Sequence, residues 1–200
     1  MTTATRISRP ELTLPDAECA LVQACYEGAD VILEYGSGGS TVMASEMPGK
    51  QVFSVESDQH WAEMMRGYLA ENPAAPGTEI DVILADIGPT KKWGHPASHK
   101  DWQRFARYPL EVWDLDEFRQ PDVVLVDGRF RAGCAMAAAF RSLKPVTVLM
   151  DDYVSRKHYH KVEKYLGSPD ITGRMARFEV KPMPVPAHKL IEIIQMMTQP

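Results

Sequence analysis

The run Val31-Ile32-Leu33-Glu34-Tyr35-Gly36-Ser37-Gly38-Gly39-Ser40-Thr41 decides how the rest of the chain is read. An apolar stretch ends in an acid and then breaks into glycines. This is the pattern of a buried parallel strand running into a tight turn and a helix. Gly36 and Gly38 suit positions where a side chain would block the turn or hold a ligand off the backbone. Ser40 and Thr41 are placed to cap the following helix, whose free N–H groups would face the crevice.

Outward from this run, the same unit repeats. Strands are expected at Asp30 to Tyr35, Gln51 to Glu56, Glu79 to Ala85, Asp122 to Val126 and Val146 to Met150. Helices are expected at Pro15 to Tyr26, Ser40 to Glu46, Gln59 to Leu69, Arg129 to Leu143 and Arg156 to Leu166, with Thr13 or Asp16 capping the first and Asp58 the third. Two last strands, Gly173 to Val180 and Lys189 to Met196, are joined by Pro182-Met183-Pro184-Val185-Pro186. That link is too short for a crossover helix, so they would pair antiparallel. The fold class is therefore α/β: a doubly wound, mostly parallel seven-stranded sheet with an antiparallel C-terminal hairpin.

At 200 residues the chain fits a single domain, 1–200, with an insertion or lid at about 88–119. That insertion mixes Trp93, Trp102, Phe105, Tyr108 and Trp113 with Lys91, Lys92, His95, His99, Lys100, Arg104 and Arg107. It reads equally as a functional loop or as a short helix packing aromatics on the sheet edge. Residues 1 to 13 read as a loose arm. The 44% apolar and 24% charged content is that of a soluble globule. The net charge of −5 argues against nucleic acid as a partner. Cys19, Cys25 and Cys134 make no CxxC pair, so a reducing cytoplasm is expected, without disulfides or zinc. Met1 to Pro10 lacks a leader-like apolar region and no stretch is long enough to span a bilayer, so no membrane association is expected. An exposed aromatic insertion would suit a homodimer contact.

The strand ends carry the chemistry. In a doubly wound sheet, ligands bind beyond the carboxyl ends of the strands. Here those ends carry Glu34, Glu56, Asp86, Asp127 and the pair Asp151-Asp152. One such acid is a common turn former; five strands in succession are harder to assign to capping. Glu56 follows the first glycine by about twenty residues, the offset that presents an acid to ribose hydroxyls. The rim would repel a pyrophosphate, Thr41 stands where a dinucleotide fingerprint wants its third glycine, and no GxxxxGK[ST] loop is present. A cofactor with a ribose, an adenine and a positive centre suits this rim.

These residues resemble the motifs of class I S-adenosylmethionine-dependent methyltransferases. Glu34-Tyr35-Gly36-Ser37-Gly38-Gly39-Ser40 resembles the family's first motif, with serine for the last glycine. Val55-Glu56-Ser57 resembles the second, Ala85-Asp86-Ile87 the third and Val126-Asp127-Gly128 the fourth. The likeness spans roughly Asp30 to Leu166. It implies a cofactor site of Glu34, Tyr35, Gly36, Ser37, Gly38, Glu56, Ser57, Asp86, Ile87 and Asp127. Gly36 and Gly38 would lie against the methionine part, Glu34 near its ammonium, Glu56 on the ribose and Asp86 beside the adenine.

The pairing of Asp127 with Asp151 and Asp152 is similar to the magnesium site of catechol-type O-methyltransferases. That likeness implies Asp127, Asp151 and Asp152 as catalytic and Mg²⁺-ligating residues, since Mg²⁺ takes oxygen ligands and acidifies a bound hydroxyl. Two positions depart from it: Asp152 replaces an asparagine, and Phe130 replaces a frequent lysine, leaving Arg129 or Arg131 to supply a cation. Without a metal, Asp127 would orient the acceptor or act as general base. The expected function is methyl transfer from S-adenosylmethionine to a small-molecule acceptor, at oxygen. The alternatives are a non-catalytic S-adenosylmethionine-binding module and an NAD-dependent oxidoreductase.

Overall fold

A computed structural model describes residues 7–200; residues 1–6 of the expected N-terminal arm lie outside the described residues. The described residues form nine strands and seven α-helices: α1 (Asp16–Glu27), β1 (Val31–Tyr35), α2 (Gly39–Ser45), β2 (Gln51–Glu56), α3 (Gln59–Glu71), β3 (Glu79–Leu84), β4 (Thr90–Lys91), β5 (His95–Pro96), α4 (Arg107–Leu110), β6 (Val123–Val126), α5 (Arg131–Arg141), β7 (Val146–Met150), α6 (Glu163–Leu166), β8 (Asp170–Thr172), β9 (Met175–Val180) and α7 (Leu190–Thr198). Seven strands make one sheet in the order β3-β2-β1-β6-β7-β9-β8, and β4 and β5 form a separate ribbon. From β3 to β7 the pairing is parallel; β9 runs antiparallel to both neighbours.

The order follows from the sequence. β1, β6 and β7 are nearly continuous apolar runs because both their faces are covered. Ile32, Leu33, Val124 and Val148 are fully buried. The alanines of α5 let that helix sit close to the sheet: Ala135, Ala137, Ala138 and Ala139 have no exposed surface. Chain order reverses between β1 and β6, so a crevice opens past their carboxyl ends.

The C-terminal hairpin is real but made of a different pair of strands. Its members are β8 and β9, joined at Gly173-Arg174. The stretch Lys189 to Met196, expected as a strand, belongs to a short 3-10 turn and to α7. Ile193, Met196 and Met197 are buried at spacings of three and four, which is a helical stripe. That stripe packs on α5. An almost unbroken apolar run hides this period, because Ile191 and Ile194 are apolar as well yet exposed.

Two smaller expectations also change. α1 starts after Pro15 with no side-chain cap from Thr13 or Asp16. Residues 7–14 are tied down: Arg9 pairs with Glu46 at 2.5 Å, and the Leu12 backbone crosses so near Gly39 that a Cβ there would collide with it. Among the described residues no helix is long and apolar enough to cross a membrane.

Candidate functional site

The glycine turn is built by two backbones in contact. Gly36 has φ +104°, a conformation that L side chains rarely adopt, and a Cβ there would stand 2.8 Å from the Gly128 nitrogen. Tyr35's carbonyl accepts from both Asp127 and Gly128 N–H, at 3.0 and 2.5 Å. The turns after β1 and β6 are thereby locked together at the reversal point. Gly38 differs: a Cβ there would meet nothing within 4 Å. Its missing side chain leaves open space beside the turn. Thr41 acts within α2, its hydroxyl accepting from Gly38 N–H at 3.0 Å, while Ser40 makes no cap.

The acids of the rim follow the strand ends. Glu56 closes β2 level with Leu84 of β3, so Asp86 emerges on the same edge. Glu56 Oε1 accepts from the N–H groups of Ser57 and Asp58 at 2.6 and 2.9 Å. Among the described residues its Oε2 has only the Ser37 hydroxyl, at 3.4 Å, and so keeps acceptor capacity. Burial raises the Glu56 carboxyl, against the pull of those N–H groups. Trp61 Nε1 donates to Ser37 O at 2.8 Å and fixes the loop between the two.

Three sequence-expected residues turn inward instead. Glu34 has no exposed surface; its carboxylate accepts from Tyr26 Oη at 2.7 Å and Thr41 Oγ1 at 2.5 Å, which closes it off from an ammonium in the crevice. Burial raises its carboxyl. Tyr35 sends its ring into the core, donating to Pro109 O at 2.7 Å and accepting from Trp113 Nε1 at 2.8 Å. Ile87 is buried in that same core. Side chains alternate across a strand, so a run of adjacent residues cannot all face one ligand.

The insertion settles on this rim. Ser57 Oγ donates to Gly94 O at 3.0 Å, Thr90 Oγ1 to Asp58 Oδ2 at 3.1 Å, and Arg104 pairs with Asp86. Phe105, Tyr108, Val112 and Trp113 are buried against the sheet, as the packing reading expects. Trp93 and Trp102 remain 75% and 55% exposed, which packing does not explain. The Tyr108 hydroxyl lies where a Cβ on Gly128 would be.

The expected magnesium ligands are neutralised by arginines. Arg131, 3% exposed, reaches Asp127 Oδ1 at 3.1 Å and Asp152 Oδ2 at 3.2 Å. It also donates to Gly128 O, Asp151 O and Asp127 O at 3.0, 2.6 and 2.7 Å. Arg174 holds Asp151 in a two-pronged pair at 2.8 and 2.7 Å, and Arg156 holds Asp152 at 2.7 Å. No three acids, histidines or cysteines among the described residues converge as a metal would require. The sequence shows these acids as neighbours but not Arg174, which arrives from the β8–β9 turn. The donor set does not fit Mg²⁺. Burial would raise the Asp151 carboxyl, but the hydrogen bonds and charge of Arg174 hold it below the usual range. Burial, reinforced by Asp151 and Asp152 and opposed by Arg131, pushes Asp127 up to about 6.

The chain as a whole has a counterpart among solved structures. A methyltransferase-like protein of Silicibacter pomeroyi is 56% identical and superposes with a TM-score of 0.94, over 96% of this chain and 99% of its own. The chain belongs to this family of methyltransferase-like proteins. More distant structures share the fold of these methyltransferase-like chains. Cofactor-bound Rv0187 from MTB is 16% identical at TM-score 0.59, over 88% of this chain and 85% of its own. An O-methyltransferase from Bacillus cereus, in complex with SAH, is 13% identical at 0.53, over 88% and 84%. The sheet order and its one antiparallel strand are those of the class I methyltransferase fold. No protein-family model and no curated protein matches the sequence.

Proposed function

We propose that the protein transfers a methyl group from S-adenosylmethionine to an oxygen of a small-molecule acceptor, without a metal. Two observations support this reading: a Cβ on Gly38 would meet nothing within 4 Å, and Glu56 Oε2 has a single weak partner among the described residues, the Ser37 hydroxyl at 3.4 Å. A nucleoside with two vicinal hydroxyls can donate there to a carboxylate already oriented by two backbone N–H groups. The bound cofactor supplies an electrophilic methyl on a sulfonium, whose carbon–sulfur bond breaks as the acceptor oxygen bonds to that carbon.

The chain's own residues do the rest. The locked turns at Gly36 and Gly128 set the distance between the donor floor and Asp127. Asp127, titrating at about 6, is matched to accept the acceptor's proton near neutrality. Arg131 fixes that carboxylate and stands where a divalent cation would otherwise offset the acids. The insertion is pinned to the rim by Gly94 on Ser57, and most of the acceleration would come from alignment.

A second reading, a module that holds the nucleoside without turnover, is favoured by the engagement of Asp127 Oδ1 with Arg131. Incubation with methyl-labelled S-adenosylmethionine and a panel of small hydroxy compounds separates the two. Methyl transfer, giving S-adenosylhomocysteine in step with labelled product, supports the enzyme. Cofactor binding with no turnover on any acceptor supports the module.

A further inference from the structure

Arg129 sits two residues beyond Asp127, and among the described residues it pairs with no carboxylate. Its three neighbouring arginines are all matched: Arg131 with Asp127 and Asp152, Arg156 with Asp152, Arg174 with Asp151. Arg129 Nε is closed off from water and has no hydrogen-bond partner. A buried guanidinium nitrogen without an acceptor is a standing cost to the fold. Folded proteins keep such groups where a ligand or function answers for them.

The surroundings say what would answer it. The charged and phenolic groups that act on the Arg129 guanidinium are Arg131, Arg156, Tyr108 and Tyr159. Two are cations and two are phenols. Arg156 itself donates to Tyr159 Oη at 3.3 Å, while the Tyr108 hydroxyl accepts from the Arg129 backbone N–H at 3.4 Å and donates to Val55 O at 3.4 Å. The backbone here is also held against preference. Phe130, next to Arg129, has φ +51°, and Asp152, across the network, has φ +56°. Strain of this kind gathers at sites where it sets geometry.

We propose that Arg129, with Tyr108 and Tyr159 beside it, binds an anionic group, a carboxylate or a phosphate, carried by the methyl acceptor. This rests on the methyl-transfer reading for the word acceptor, but the anion site itself does not. A flat guanidinium offers two parallel N–H donors to either anion. Arg129 follows Asp127 by two residues, so the anion would be held at the turn that leaves β6.

Calorimetry on the full chain tests this, with and without saturating S-adenosylhomocysteine, using benzoate, phenyl phosphate and neutral benzamide as probes. One of the two anions is expected to bind about tenfold or more tighter than benzamide, the value of a charge-assisted pair. Which anion wins names the chemistry. Arg129→Gln should erase the preference, Arg129→Lys should restore part of it, and Arg129→Gln should melt no lower than the parent because it loses no partner. Equal binding of all three probes, a preference that survives Arg129→Gln, or a markedly lower melting temperature would each overturn the proposal. So would a tenfold loss of S-adenosylhomocysteine affinity in Arg129→Gln, which would assign the missing anion to the cofactor's own carboxylate. If S-adenosylhomocysteine does not bind but the anion preference stands, the methyl-transfer reading fails and the anion site survives.

Discussion

Arg131 and Asp127 form the hinge of the site: Arg131 Nη2 holds both the side chain of Asp127, at 3.1 Å, and its carbonyl, at 2.7 Å. One buried guanidinium therefore fixes the proton acceptor at two points and joins it to Asp152. Removing a partner from a buried pair leaves uncompensated charge, at about 3–5 kcal/mol. Arg131→Met should lower the melting temperature by roughly 6 °C or more, on about 2–4 °C per kcal/mol for a chain of this size. Thermal denaturation followed by circular dichroism reads it, and an unchanged midpoint would contradict the network.

Three arginines already neutralise the acids that a divalent cation would need. Turnover should be the same within about twofold in EDTA and in millimolar magnesium. Strict magnesium dependence of the initial rate would show that the network rearranges around a metal.

The raised Asp127 carboxyl gives a pH dependence with a definite sign. As the proton acceptor it must be ionised, so kcat/KM should rise through a midpoint near the value of about 6 and level off above it. Asp127→Asn should remove the limb along with most of the rate. Stability moves the other way. The folded chain holds this proton more tightly than the unfolded one, so the favourable contribution is fully present below the unfolded value of about 4. It is lost as pH rises through about 6. Denaturant titrations at pH 4.5 and 7.5, compared between the parent and Asp127→Asn, isolate that term.

Position 36 of the β1 turn tolerates no side chain. Gly36→Ala would place a Cβ against Gly128 N in a left-handed conformation. The strain is on the order of 1–3 kcal/mol before the clash is counted. Both the melting temperature and cofactor binding should fall. Gly38→Ala should spare the melting temperature, since its Cβ meets no protein atom, yet weaken nucleoside binding. Opposite outcomes for the two variants would show that the open space is on the other side of the turn.

What the sequence revealed and what it hid have physical causes. Strands β1, β6 and β7 were legible because both-face burial demands nearly unbroken apolar runs, and β2 and β3 because, like them, each leads to an acid at its carboxyl end. The rim was legible for the same reason. The inward turn of Glu34 was not, because it depends on Tyr26, a partner supplied by the preceding helix. The arginine answer to the acids was half visible, in Arg131, and half hidden, because Arg174 comes from a turn beyond β8. α7 was misread as a strand because Leu190, Ile191, Ile193 and Ile194 are apolar on both the packed and the exposed face.

The account stands on nucleoside recognition between Gly38 and Glu56. Calorimetric titration of the parent protein with S-adenosylhomocysteine, repeated on Glu56→Gln, measures it directly. Binding in the micromolar range that weakens by about tenfold or more in Glu56→Gln, roughly 1.4 kcal/mol, is the predicted result. Absence of binding at millimolar ligand, or equal affinity in both proteins, would contradict it.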